Sequence, residues 1–167
     1  VLKYKYLHYL IFMVKVFFLA ILLFSNICFS AGTESSSLVV IDNANEVKLL
    51  YKRAEKYIYE NNYKKSLKVL KSLTKREDLF GFRADIYNLL GFSYRKLSNP
   101  ELEKSFAAYM MAIEINPKHI GAHEYLGELY LMMNNKDKAF EMLVKLETIA
   151  GTSSKEYLDL KKAIEEY

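Results

Sequence analysis

Along most of the chain, apolar and small residues recur at spacings of three and four, which sets each group on one face of a helix. Tyr87, Leu90, Gly91 and Tyr94 form one such set, followed by Ser105, Tyr109 and Ala112. The first set returns 36 residues later as His123, Leu126, Gly127 and Tyr130, followed by Ala139, Leu143 and Leu146. A weaker copy comes earlier, as Leu50, Arg53, Ala54 and Tyr57, then Ser66, Leu70 and Leu73. A Gly or Ala within the first helix of each pair lets a second helix approach closely.

Punctuation between the sets fits helical hairpins. Asn43 with Glu46 reads as a capping-box-like start. Asn61-Asn62 and Asn134-Asn135 mark two turns inside hairpins, and Asn99-Pro100 reads as a cap followed by Pro at the first helical position. Pro117 stops the middle hairpin. Gly151 ends the third, and Ser153 with Glu156 opens one more helix. That helix, 153–167, carries Tyr157, Leu160, Ile164 and Tyr167 on one stripe and charge elsewhere, as a terminal cap of a stacked array requires. The expectation is an all-α protein of seven helices: three antiparallel hairpins over about 47–76, 84–117 and 120–150, then the cap.

The N-terminal part has another pattern. Residues 16–24 are nine apolar residues directly after Lys15, followed by Cys28-Phe29-Ser30-Ala31. A basic start, a short apolar run and small residues at a cleavage position describe a secretory signal peptide over 1–30, with a start at Met13 as an alternative to Val1. The run is shorter than the ~20 apolar residues of a membrane-spanning helix. Export, most simply to a periplasm, is therefore the first reading, and an uncleaved inner-membrane anchor the second. Residues 31–43 read as a linker, flexible through Ser37, with Leu38–Ile41 extended against the first helix.

The repeated sets resemble the tetratricopeptide repeat, whose pattern is aromatic-x2-Leu-Gly-x2-Tyr, then Ala-x3-Phe-x2-Ala and a closing Pro. Pro117 matches the closing Pro of the middle copy. The first copy departs, with Arg53 and Ala54 in the Leu-Gly positions, and the middle copy has about two extra residues around Ser98–Glu101. The resemblance covers about residues 47–150 and includes small exported bacterial proteins of this family. It implies a helical superhelix that binds a partner rather than an enzyme.

Composition narrows the function further. The chain has 167 residues, with 6 Gly, 2 Pro and one Cys, so a turn-rich β fold and a disulfide framework are both excluded. Its net charge is +4, but residues 1–30 contribute +3 of that, and the rest is close to neutral. A nucleic-acid footprint is absent on that count. Within the rest, residues 47–76 carry +8, whereas residues 77–167 carry −4.

Catalytic signatures are lacking: there is no Gly-x-Ser-x-Gly elbow, phosphate loop or dinucleotide fingerprint. His119 and His123, four apart and near Glu124 and Glu128, raise a metal site. No third ligand has suitable spacing, and packing and capping roles are preferred. No cofactor is expected.

Two surfaces remain as candidates. In such a superhelix the first helices line a concave groove. The inward stripe gives Tyr51, Glu55 and Ile58, then Asn88, Phe92 and Arg95, then Glu124, Glu128 and Leu131. Phe92 reads as the anchor for a partner segment, Arg95 and Asn88 as partner-facing polar groups, and the glutamates as selectors of positive charge. The expected partner is a protein or peptide segment with apolar and basic residues. Lys64, Lys68, Lys71 and Lys75 form a second stripe, read first as a solvated face and second as a contact for anionic lipid or an acidic partner. The function expected is a non-enzymatic scaffold or adaptor at the cell envelope. A membrane-surface protein using the lysine stripe is the alternative, followed by a small metal-binding or enzymatic repeat protein.

Overall fold

In the computed structural model, the backbone is described from residue 34 and side chains from residue 42, in both cases to residue 167. The signal-peptide reading lies outside the described residues. Seven helices are present among them, and no strand. They are α1 (Glu34–Tyr59), α2 (Tyr63–Leu73), α3 (Arg83–Arg95), α4 (Leu102–Ile115), α5 (Ile120–Met132), α6 (Lys136–Ala150) and α7 (Lys155–Glu165).

α1 begins well before the expected cap. Leu38–Ile41 are helical rather than extended, and Asn43 falls inside the helix. No Gly or Pro lies between Glu34 and Asn43 to stop a helix, and Asp and Asn alone are weak breakers.

Residues 43–167 form one compact unit. Within it α3 packs on α4 and α5 on α6 as hairpins, while α2–α3 and α4–α5 contacts join successive hairpins. α1 and α2 share one core, in which Val47 and Ala54 meet Leu67, Leu70 and Leu73, together with Ile86 and Leu90 of α3. α7 lies against both α5 and α6, where the first helix of a further hairpin would sit. Its Leu160 and Ile164 close the cluster formed by Leu131, Ala139, Leu143 and Leu146. Each fully buried Leu or Ile contributes about 1.5–3 kcal/mol, so an array without α7 would leave that cluster open to water.

Local caps set the register of these packings. Asn61 and Asn134 turn the chain with φ of 56° and 58°, a left-handed conformation that Asn tolerates. Their C-terminal neighbours cap α2 and α6: Asn62 accepts from the Lys65 amide, and Asn135 from that of Lys138. Two caps differ from expectation. α4 starts only after Glu101, because the turn through Lys96–Pro100 is held by the Glu101 amide donating to the Tyr94 carbonyl (3.2 Å). α7 is capped by Ser154 rather than Ser153: its hydroxyl accepts from the Tyr157 amide and donates to the Gly151 carbonyl. Gly91 and Gly127 are the close-approach points. A Cβ on Gly91 would stand 2.6 Å from the Tyr109 ring, and one on Gly127 2.5 Å from Leu160.

Candidate functional site

Along one side of the unit the first helices meet each other, α3 touching α5 and α5 touching α7. The residues singled out for the concave groove come from α1, α3 and α5, but they do not stand equally free.

On α1, Tyr51 is half-buried, with its ring 5.0 Å from that of Phe82. Burial, then the nearby Glu55 and Asp85 carboxylates, pushes its phenol well above the ordinary range. Glu55 pairs with Lys52 at 2.7 Å on the surface. Ile58 is half-buried.

On α3, Phe92 is half-buried among aromatic rings rather than standing free. Its centroid lies 5.1 Å from Tyr125 of α5 and 6.3 Å from Tyr63 of α2. Arg95 corrects the expectation of an open, partner-facing guanidinium. It is only 5% exposed, and its Nη1 pairs with Glu128 of α5. Its flat group lies over the rings of Phe92 (5.6 Å) and Tyr125 (5.5 Å). A planar, weakly hydrated guanidinium is suited to that stacked position, where a lysine would not be. Nε and Nη2 have no hydrogen-bond partner, nor has the buried hydroxyl of Tyr109. Asn88 is likewise buried, its Oδ1 unpartnered and its amide next to Gly121.

On α5, Glu128 is consumed by Arg95, and Leu131 belongs to the C-terminal core, not the groove. Its buried position results from α7, whose packing the repeat pattern alone does not reveal. Glu124 is 6% exposed and forms no ion pair among the described residues. Burial, reinforced by the Glu128 charge, raises its carboxyl from 4.5 to about 7. α7 adds Glu156 and Asp159 to this end of the face, and Lys155, which pairs with Asp159. Sequence reasoning read Glu156 as part of a capping box with Ser153, and Lys155 and Asp159 as charges off the apolar stripe of the cap. Their proximity to Glu124 depends on α7 docking beside α5.

The two histidines have structural partners. His119 caps α5: its Nδ1 accepts from the Ala122 amide at 3.1 Å, so Nε2 carries the proton and donates to Asp85 of α3, also at 3.1 Å. His123 is buried and lies 3.1 Å from the His119 carbonyl through Nδ1, and burial lowers its pKa. Among the described residues, no group of three or more His, Cys, Asp or Glu side chains could hold a metal ion. Nor is any helix there long and apolar enough to cross a membrane. Lys64, Lys68 and Lys71 are exposed on α2, with Lys75 just beyond it.

Stacked helical hairpins whose first helices share a face define the class of helical-repeat binding folds. A tetratricopeptide-repeat profile matches residues 108–141, from the middle of α4 into α6. Over 92 residues, 55% of this chain, the sequence is 35% identical to tetratricopeptide repeat protein 37 of Xenopus laevis; the match spans 6% of that far longer protein. Among solved structures, MamA is similar with a TM-score of 0.60 and 25% identity, over 78% of this chain and 73% of that one. The first repeat domain of Spaghetti (RPAP3), bound to the HSP90 peptide SRMEEVD, has a TM-score of 0.61 at 13% identity, over 74% of this chain and 93% of that one. The Yersinia enterocolitica type III secretion chaperone SycD, in complex with a peptide of the translocator YopD, gives 0.61 at 15%, over 74% and 89%. Residues 108–141 thus match a tetratricopeptide repeat, and the described residues have the all-helical superhelical fold of tetratricopeptide-repeat structures.

Proposed function

We propose that this chain is a non-enzymatic binding module that holds a segment of a partner protein along the face shared by α1, α3, α5 and α7, and that it works in the cell envelope. The observation that carries the reading is the character of that face. Phe92 and Tyr125 give it a half-exposed aromatic centre, flanked by Glu124, Glu128, Glu156 and Asp159. Arg95 pairs with Glu128 and Lys155 with Asp159, which leaves Glu156 and Glu124 as the acids of this face without an ion pair among the described residues, while Lys96 lies over the Phe92 ring. A partner segment with apolar and basic residues fits such a surface: the aromatic centre takes an apolar side chain, and Glu156, joined by Glu124 as it ionises above about pH 7, favours a positive one. The peptide complexes of Spaghetti and SycD, which share the fold, support a peptide or protein as the ligand class. The apolar run after Lys15 supports the envelope location.

The test is to pan a random peptide library over the full chain and titrate the selected sequences. Apolar peptides bearing Lys or Arg are expected. Phe92→Ala should weaken them by about tenfold or more, as loss of an aromatic anchor does. Selection of acidic peptides, or affinity unchanged in Phe92→Ala, would overturn the reading.

A further inference from the structure

α2 differs from the other helices in its charge. On α1, Lys52 pairs with Glu55 and Lys56 with Glu60; on α6 and α7, Lys138, Lys161 and Lys162 have Glu141, Glu165 and Glu166. α2 carries Lys64, Lys65, Lys68 and Lys71 and no acidic residue. Lys75 continues the stripe just past its end. All five are exposed, and none forms an ion pair among the described residues. Lys64, Lys68, Lys71 and Lys75 are spaced in steps of four and three, so one side of the helix is a line of ammonium groups. Like charges at that spacing repel one another. The stripe therefore works against the helix that carries it.

The ground beneath the lysines is largely apolar. Lys64, Lys68 and Lys71 rim a shallow cleft of about 390 Å³ whose other walls are Leu67, Leu97 and Glu101, the last paired with Lys104. Lys71 lies 5.2 Å over the Tyr94 ring, and Lys65 lies 5.6 Å over Tyr57 of α1. Tyr57 in turn lines a second cleft with Arg53, Lys56 and Leu49, the last of them 60% exposed. Ammonium groups set above exposed apolar and aromatic surface are the composition of an interfacial membrane contact.

We propose that the outer side of the first hairpin docks on an anionic phospholipid surface through this lysine field. Lysines along the stripe suit a diffuse layer of phosphates better than one shaped acidic peptide. They are mobile point charges, and α2 contains no arginine to fork onto a particular carboxylate. Each basic residue near an anionic bilayer strengthens binding by about fivefold. Because α2 is the second helix of its hairpin, such docking leaves the partner face unobstructed.

Sedimentation of the full chain with vesicles tests this, using phosphatidylcholine alone against phosphatidylcholine mixed with phosphatidylglycerol. Lys3, Lys5 and Lys15 of the N-terminal segment also favour anionic lipid, so the readout is the part of the anionic preference that is lost when the stripe is neutralised. K64Q/K68Q/K71Q/K75Q should reduce that preference by about tenfold or more, and high salt should abolish it in the unaltered protein. Neutralising Lys136, Lys145, Lys161 and Lys162 together removes the same charge elsewhere and should leave most of the preference in place. Thermal melts establish that both variants are folded. Equal losses in the two variants would reduce the effect to net charge and overturn the proposal, as would the absence of any anionic preference. Binding of polyglutamate through the stripe without vesicle binding would overturn it in favour of an acidic protein partner.

Discussion

At the scale of single residues, the tightest constraint is at the two glycines of the repeat. Replacing Gly by Ala inside a helix gains up to about 1 kcal/mol of propensity. At Gly91 the new methyl meets the ring of Tyr109, a fully buried side chain that cannot swing away. Overpacking of that kind costs about 1–3 kcal/mol and should win, so Gly91→Ala is expected to melt earlier than the unaltered protein. The Arg95–Glu128 pair behaves differently. Glu128→Gln leaves a buried guanidinium without its counter-charge, a loss of about 3 kcal/mol in a dry site. Glu128 keeps 27% of its side chain exposed, so a value nearer ~2 kcal/mol is expected from a denaturant titration.

Glu124 makes stability depend on pH. The unfolded carboxyl ionises near 4.5, whereas the folded one holds its proton to about 7. Between those values the folded state binds more protons, so stability falls as pH rises and levels off above about 7. His123 pulls the other way: burial holds it below its ordinary 6.5, and the stability lost to charging it returns as pH rises towards that value. The difference between the unaltered protein and Glu124→Gln isolates the carboxyl. The variant should gain stability relative to the parent as pH is raised from 5 to 8, with the gain levelling off near pH 8. A constant difference in melting temperature across that range would count against a buried, protonated Glu124.

At the scale of elements, α7 decides whether the array is closed. Deleting residues 153–167 removes Leu160 and Ile164 and uncovers the cluster around Leu131, Leu143 and Leu146. Association through that apolar surface is expected. It should be visible as loss of the monomer on gel filtration and an altered far-UV CD spectrum; an unchanged soluble monomer would contradict it. The same helix shows how an element's function depends on its neighbour. Lys155, Glu156 and Asp159 belong to the first turns of α7. Their approach to Glu124 turns a surface charge pattern into part of the candidate groove.

At the scale of the whole molecule, the uneven charge predicts partner choice. The first hairpin is strongly basic and the later part of the chain acidic. The peptide SRMEEVD, seen on one similar structure, should bind this protein at least about tenfold more weakly than an analogue with lysines in place of its acids. Fluorescence titration of the two labelled peptides at low and high salt would check both the order and its electrostatic origin.

Helix number, hairpin pairing and the turns at Asn61–Asn62 and Asn134–Asn135 were legible from the residues alone. Periodicity and capping act over a few residues, so their signal is local. The limits of that signal show at α1. Its Asn43 has the look of a helix start, but Glu34 already begins the helix, because a cap residue stops nothing unless the chain before it turns away. The inward stripe of the first helices named Phe92, Arg95, Glu124 and Glu128. It did not say which of these stay free. That was decided by how α3, α5 and α7 approach one another: Arg95 found Glu128, Phe92 found Tyr125 and Tyr63, and Leu131 went under α7. A side chain's exposure depends on residues about 30 positions away, and only their distances in space, not their spacing in the chain, determine whether two charges pair or an aromatic ring remains open.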